Sequence, residues 1–305
     1  MIDWAEPLTE PFSLALEIAP LAVLGATYSR RARTLAGRGR PVPRARQLSF
    51  ATGLLLMLVA VASPLAHVAE ELFTVHMLQH ILLGDLAALA IALGLTGPVL
   101  APLLRKRPVA RLRVLTHPLV AFPLWLLDLY IWHLAALYQA TLESAIVHAS
   151  MHILLLGLGL TMWMPLVGPL PVPRWFSDWA RLGYLVAVRM AGALLANVFI
   201  WADIVFYPAY ADGQRAWGID PLADQATAGA ILMTEGSVLT LGLLLWLFLR
   251  AAQRDEARQE LLDFAAEQGV ALDEARAARA AGAGRTDALR ERLRRRSGAN
   301  DPDGD

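Results

Sequence analysis

The chain has 305 residues, 56% of them hydrophobic and 18% charged, and its 27 basic and 27 acidic side chains cancel to zero net charge with no cysteine present. The missing cysteines exclude disulfides, iron–sulfur clusters, thiolate zinc sites and cysteine-based copper sites, so any soft-metal chemistry falls to histidine or methionine. The charges are unevenly spread: residues 250–305 hold 11 basic and 12 acidic residues, leaving 16 and 15 for the first 249. A soluble domain of that size would be about one-quarter charged, so a soluble two-domain protein is excluded.

Taken in chain order, apolar runs of roughly 20 residues, each enough to cross a hydrocarbon core of about 30 Å, predict an all-α, polytopic membrane bundle of seven transmembrane helices. The expected spans are 11–29, 48–66, 73–95, 115–134, 146–165, 183–206 and 225–249. The residues before the first are acidic (Asp3, Glu6, Glu10) rather than basic, which argues against a signal peptide. The joint at 30–46 carries Arg30, Arg31, Arg33, Arg38, Arg40, Arg44 and Arg46. That at 96–114 carries Arg105, Lys106, Arg107, Arg111 and Arg113, and that at 166–182 carries Arg174 and Arg181. The alternate joints, 67–72 and 135–145, carry no Lys or Arg, and 207–224 carries only Arg215. The positive-inside rule then puts the N-terminus outside and the C-terminus inside. The expected organisation is a transmembrane domain over 1–249 and a charged cytoplasmic tail over 250–305. The tail reads as partly helical (Gln253–Phe264, Leu272–Ala281) and partly disordered towards its polar end.

This topology gathers six of the seven histidines on one side. His76 and His80 fall in the first turns of the third span, His148 and His152 in those of the fifth, His133 at the end of the fourth and His67 in the joint before the third. A separation of four residues puts both imidazoles of a His-x-x-x-His pair on one helix face, one turn apart. Two such pairs at matched depth offer up to four nitrogen ligands, and neutral imidazole suits copper, zinc, iron and nickel. Polar groups in lipid are costly and tend to mark function. His117 precedes Pro118 at a span start and reads as interfacial. The pairs also repeat: His76 to Leu83 and His148 to Leu155 share His-x-x-x-His-Ile-Leu-Leu, 72 residues apart. This suggests duplicated hairpins whose pairs meet.

Few other polar residues lie within the spans. Asp203, four residues before Tyr207, and Asp128, below His133, are carboxylates that either orient a ligating imidazole through its second nitrogen or simply neutralise one another. Asp85 is out of phase with His76 and should face away from it. Glu235 reads either as a proton or cation relay or as a helix contact. Met77 and Met151 flank the pairs but are rotated about 100° from the adjacent histidine, so packing is the expected role and thioether ligation the alternative.

The run His76-Met-Leu-Gln-His80-Ile-Leu-Leu is followed by Thr116-His117-Pro118, Trp132-His133, His148 to His152 and Trp163-Met164-Pro165. Then come Tyr207-Pro208-Ala209-Tyr210, Asp220-Pro221-Leu222-Ala223-Asp224-Gln225 and Gly229. In order and spacing this series, over roughly 50–250, resembles the seven-span CtaG family of cytochrome c oxidase assembly factors. The resemblance implies a multi-pass protein of the bacterial plasma membrane that assists assembly of a haem-copper oxidase by supplying or inserting copper. It points to His76, His80, His148 and His152 as functional positions, with His133, Tyr207, Asp224 and Gln225 in support. Met233-Thr234-Glu235 departs from the apolar or Trp-containing run expected after Gly229, and the tail lies outside the resemblance.

The leading expectation is therefore a non-enzymatic protein that holds copper near its external face through paired histidines and passes it to a terminal oxidase. Candidate partners are the oxidase subunits, the lipid bilayer and a second copy of the chain, and nucleic acid is not among them. Three alternatives stay open: haem b held between facing histidines for electron transfer, a membrane di-iron oxygenase, and a copper transporter with Asp85 and Glu235 as deep relay points. The oxygenase reading lacks the His-x-x-His-His clusters those enzymes add.

Overall fold

The computed structural model describes residues 11–282 and 284–298. The acidic stretch with Asp3, Glu6 and Glu10, and the end of the polar tail at 299–305, lie outside the described residues. All regular structure among those described is helical. In chain order α1 (Pro11–Ala36), α2 (Arg44–Ala62), α3 (Pro64–Glu71) and α4 (Phe73–His80) lead into a π-helical turn, Ile81–Ala87, that continues as α5 (Ala88–Gly94). Then follow α6 (Gly97–Leu104), α7 (Arg107–Arg111), a 3-10 turn at Leu112–Thr116, α8 (Pro118–Ile131), α9 (Ala135–Glu143) and α10 (Ala145–Val167). The chain ends with α11 (Asp178–Trp201), a 3-10 turn at Pro208–Tyr210, α12 (Ala211–Trp217), α13 (Pro221–Glu267), α14 (Glu274–Gly282) and α15 (Thr286–Gly298).

Among the described residues, five helices are long and apolar enough to cross a membrane: α2, the α4–π–α5 rod Phe73–Gly94, α10, α11 and α13. α8 and α9 meet that test only as a pair, bent by 73° at their junction. The fourth span expected at 115–134 is thus a shorter helix, and most of the joint expected at 135–145 is helix. The bend has a local cause. After Ile131 the backbone tightens, with His133 N–H donating to Tyr130 O (3.2 Å) and Leu134 N–H to Ile131 O (3.2 Å), and α9 restarts in a new direction. Similarly the joint expected at 67–72 is mostly α3, started by the Ser63 hydroxyl, which accepts from Leu65 N–H at 3.2 Å, and by Pro64 at the first helical position. The first expected span, 11–29, corresponds to α1, which starts at the edge of the described residues and is not among the five.

The contact that organises the bundle lies between the α4–π–α5 rod and α10. His76 stands beside His148 and His80 beside His152, with ring centres 5.8 and 5.9 Å apart. One to three turns further on, Gly84 packs on Leu155 and Gly159, so the two helices run parallel. A Cβ placed on Gly159 would lie 2.0 Å from Gly84 O. Only glycine permits that separation, as at the small-residue crossings that bring membrane helices close.

Below the contact lies a largely buried ion cluster. Arg189 of α11 forks Asp85 of the π-turn at 2.6 and 3.2 Å, stands 5.0 Å over the Trp163 ring and comes within 3.7 Å of Glu235 on α13. Trp163 Nε1 donates to Asp85 Oδ1 (3.0 Å) and Asp85 O (3.2 Å). Glu235 thus stands at ion-pair distance from a neighbouring helix. Asp85, as its phase requires, faces this cluster and not the histidines. Breaking such a pair on one side leaves a buried charge uncompensated, at a cost of about 3–5 kcal/mol.

The chain divides into two compact units, Met1–Val238 and Leu239–Asp305, and the division falls inside α13. Within the second unit, Leu261 and Ala265 of α13, Ala277 and Ala280 of α14, and Leu289 and Leu293 of α15 form a small apolar core. Arg290 reaches Glu260 at 2.6 Å across it, and Arg258 pairs with Glu274. Helix α15 lies beyond the two helical stretches expected in the tail and reaches the start of its polar end. Leu289 and Leu293, four apart, supply the apolar stripe that the arginines around them obscure.

The helix contact makes a prediction of opposite signs. Gly to Ala inside a helix is normally worth about 1 kcal/mol of added stability. At Gly157, where an added Cβ meets nothing within 4 Å, Gly157→Ala should hold or raise the thermal unfolding midpoint of the detergent-solubilised protein. Gly159→Ala two residues away should lower it, since overpacking costs about 1–3 kcal/mol. Equal midpoints for the two variants would show that the α10 contact is looser than described.

Candidate metal centre

Five of the expected histidines come together. Within the pairs, ring centres lie 4.2 Å (His76–His80) and 4.4 Å (His148–His152) apart, and His133 joins at 6.2 Å from His80. Two imidazoles sharing an ion have ring centres at most about 6.4 Å apart, given about 2.0–2.1 Å from ion to nitrogen, and all five separations fall inside that reach. Among the described residues no three His or carboxylate groups already stand at ligand geometry, so the rings must turn about their side-chain torsions to share an ion.

The donor chemistry fits such an ion. His76 and His80 are 1% and 6% exposed. The His76 ring bonds the Ala69 backbone, which leaves its Nε2 buried without a hydrogen-bond partner. Both nitrogens of His80 and Nε2 of His148 are in the same state. Buried polar atoms are rarely left so, and each asks for an explanation. Neutral imidazole lone pairs without a protein partner are what a transition-metal ion takes up.

The supporting residues act on the ligand-bearing backbone. Helix α4 begins after Leu72, which has no side-chain acceptor to satisfy its first N–H groups. Asp224, from the start of α13, supplies the cap from elsewhere in the chain: its carboxylate accepts from Phe73 N–H (2.9 Å) and Thr74 N–H (3.0 Å). Thr74 Oγ1 returns a bond to Asp224 O (2.8 Å), and Gln214 Nε2 donates to the same carboxylate (2.8 Å). Gln225 accepts from Phe206 N–H (2.9 Å) and donates to Ile204 O (3.1 Å), pinning the loop that carries Tyr207. Tyr207 in turn donates its hydroxyl to His133 O (2.8 Å). Burial pushes the phenols of Tyr207 and Tyr210 up, so both serve as neutral hydrogen-bonding groups.

Several expected residues have other places. Asp128 is buried, but it accepts from Trp132 Nε1 (2.7 Å) and orients that indole instead of an imidazole. Asp203 is exposed: α11 stops at Trp201 and the chain turns extended at Ala202, so its helical relation to Tyr207 does not exist. His67 stands 3.6 Å from Glu71 on α3. His117 caps α8 by accepting from Leu119 N–H (3.3 Å). Met151 is fully buried and packs with Trp132 and Leu155, whereas Met77 Sδ lies 3.5 Å from His133 Nε2.

Two residues at the centre were not singled out from the sequence. Tyr138 of α9 is 1% exposed, shares a 2.5 Å hydroxyl contact with Tyr210 and stands 5.2 Å from the His76 ring. Its signal is hidden because 135–145 reads as a joint. Gln79, within the His76–His80 run, is buried and donates to Ala60 O at 2.8 Å, tying α4 to α2. The α4 cap carries a prediction. Asp224→Ala leaves two helix N–H groups and Gln214 without their acceptor and should cost about 1–2 kcal/mol. A drop in the thermal midpoint, recovered in part by Asp224→Asn, checks it; an unchanged midpoint in the alanine variant would show the cap is dispensable.

Comparison with known proteins bears on this geometry. The chain is 25% identical over 272 residues to an uncharacterized protein of Mycobacterium bovis and, equally, to one of Mycobacterium tuberculosis. Each alignment covers 83% of this chain and 41% of the relative, so the chain spans about two-fifths of the length of these relatives. No solved structure matches. The model of the cytochrome c oxidase caa3 assembly factor family (Caa3_CtaG) matches residues 26–254, a stretch holding every histidine and the whole parallel helix contact. The chain belongs to the cytochrome c oxidase caa3 assembly factor family.

Proposed function

We propose that this family member spans the bacterial plasma membrane seven times, N-terminus outside and C-terminus inside. It holds copper as cargo in the histidine cluster and delivers it to a haem-copper oxidase during assembly. The alternation of Arg-rich and Arg-poor joints supports the orientation, with α1 and the bent α8–α9 pair as the spans additional to the five. The observation that carries the copper reading is the meeting of His76, His80, His133, His148 and His152 at one end of two parallel helices, with buried nitrogens of three of them lacking partners.

The chemistry of the donors narrows the cargo. The span carboxylates Asp128 and Asp85 are engaged elsewhere, Asp128 with Trp132 and Asp85 with Arg189. The cluster therefore presents neutral nitrogen donors, which hold copper without the grip of thiolates. A site for cargo has to release it, and five donors in reach of one another allow the ion to change ligands one at a time. Rings only 4.2–6.2 Å from their neighbours suit an ion better than a macrocycle between them. No catalytic residue is needed for this role.

Two measurements test it. Detergent-purified protein should carry copper, and a variant with His76, His80, His148 and His152 all changed to alanine should lose nearly all of it; equal metal content in both would remove the site. A deletion strain grown at low copper should lose most of its oxidase activity, restored by the wild-type gene and not by the quadruple variant. Undiminished oxidase activity in that strain would overturn the delivery role even where the protein binds copper.

A further inference from the structure

His133 lies outside both His-x-x-x-His pairs, and its ring is set by the way α8 ends. In a continuing helix its N–H would bond Leu129 O, but it turns to Tyr130 O instead, so the Leu129 carbonyl is free to meet the ring. His133 Nδ1 stands 2.5 Å from Leu129 O. A carbonyl only accepts, so Nδ1 carries the hydrogen and Nε2 is a bare lone pair. That lone pair faces Met77 Sδ at 3.5 Å. A thioether has no hydrogen to give, so neither atom stabilises the other, and an electrophile between them would satisfy both.

The spacing suits a soft ion. With bonds of about 2.0 Å to nitrogen and about 2.3 Å to sulfur, a 3.5 Å separation corresponds to an angle at the ion of about 110°, close to tetrahedral. His80 is the third donor in reach. It follows Met77 by three residues on the same helix face, its ring centre is 6.2 Å from that of His133, and both its nitrogens are buried without partners. Thioether and imidazole together select Cu(I) over zinc, because a thioether is a soft, neutral donor that binds hard or borderline dications poorly.

We propose that Met77 Sδ, His133 Nε2 and His80 form a thioether-containing subsite that makes the histidine cluster selective for Cu(I). This rests on the copper-holding reading above and adds to it the oxidation state of the cargo and a ligand outside the paired histidines.

The test loads purified full-length protein anaerobically with Cu(I), supplied as its acetonitrile complex, and reads the copper X-ray absorption edge and a competition titration against a Cu(I) chelator. Wild type should show a sulfur shell beside nitrogen. Met77→Leu, a volume-conserving change that cores tolerate, should keep bound copper, lose the sulfur shell and weaken Cu(I) binding by about tenfold or more, with zinc binding unchanged. Met151→Leu should leave the sulfur shell in place. Nitrogen-only scattering in wild type, or a sulfur shell that survives Met77→Leu, would overturn the subsite and leave the histidine reading standing. Wild-type protein that binds no copper would overturn both.

Discussion

The structure depends on one close approach. Gly159 lets the backbone of α10 meet that of the π-turn at Gly84, where a side chain at 159 would hold the two apart. Because the helices run parallel, that contact carries upward along both, and the rings of His76 and His148, and of His80 and His152, arrive beside one another. A π-turn widens a helix locally and is common where function bends the backbone. Here it lies between the histidines and the ion cluster, and it presents Asp85 to α10 and α11 on the side away from the imidazoles.

Charge is then divided cleanly along the bundle. Arg189 gathers Asp85 and Glu235, and Asp224 is consumed by the α4 cap. The histidine end is left with neutral donors and aromatic rings: Phe73, Tyr138, Phe199, Tyr207 and Tyr210 pack together beside it. A dicarboxylate site would favour hard, strongly hydrated cations, whereas imidazole and thioether in an aromatic setting favour soft ones. The rest of the first unit holds this end still. Asp224 fixes where α4 starts, Gln79 ties it to α2, and Tyr207 grips the backbone of His133.

Much of this is readable from residue order, and the reasons for the remainder are physical. The two His-x-x-x-His pairs are visible because four-residue spacing has only one meaning on a helix, and their matched depth follows from counting along two spans of like direction. Asp128 and Asp203 are misplaced for a different reason. Both assignments assume helices that run straight to their expected ends, yet α8 bends at Trp132 and α11 stops at Trp201, and a helix end shifts every side chain beyond it. Tyr138 is hidden by the same assumption, since a helix that lies across the bundle reads as a joint. Asp224 looks like a supporting residue by resemblance alone; that it caps a helix 150 positions earlier in the chain is not encoded by any local pattern.

The sequence by itself determined the all-helical class, most of the long apolar helices, the alternation of Arg-rich and Arg-poor joints and the exclusion of thiolate chemistry, because these follow from composition and from periods of a few residues. Tertiary structure alone decided which carboxylates neutralise which charges, that Met77 and not Met151 faces an imidazole, and where the helices bend. Those outcomes turn on contacts between segments far apart in the chain, set by the space a single hydrogen atom leaves at Gly159.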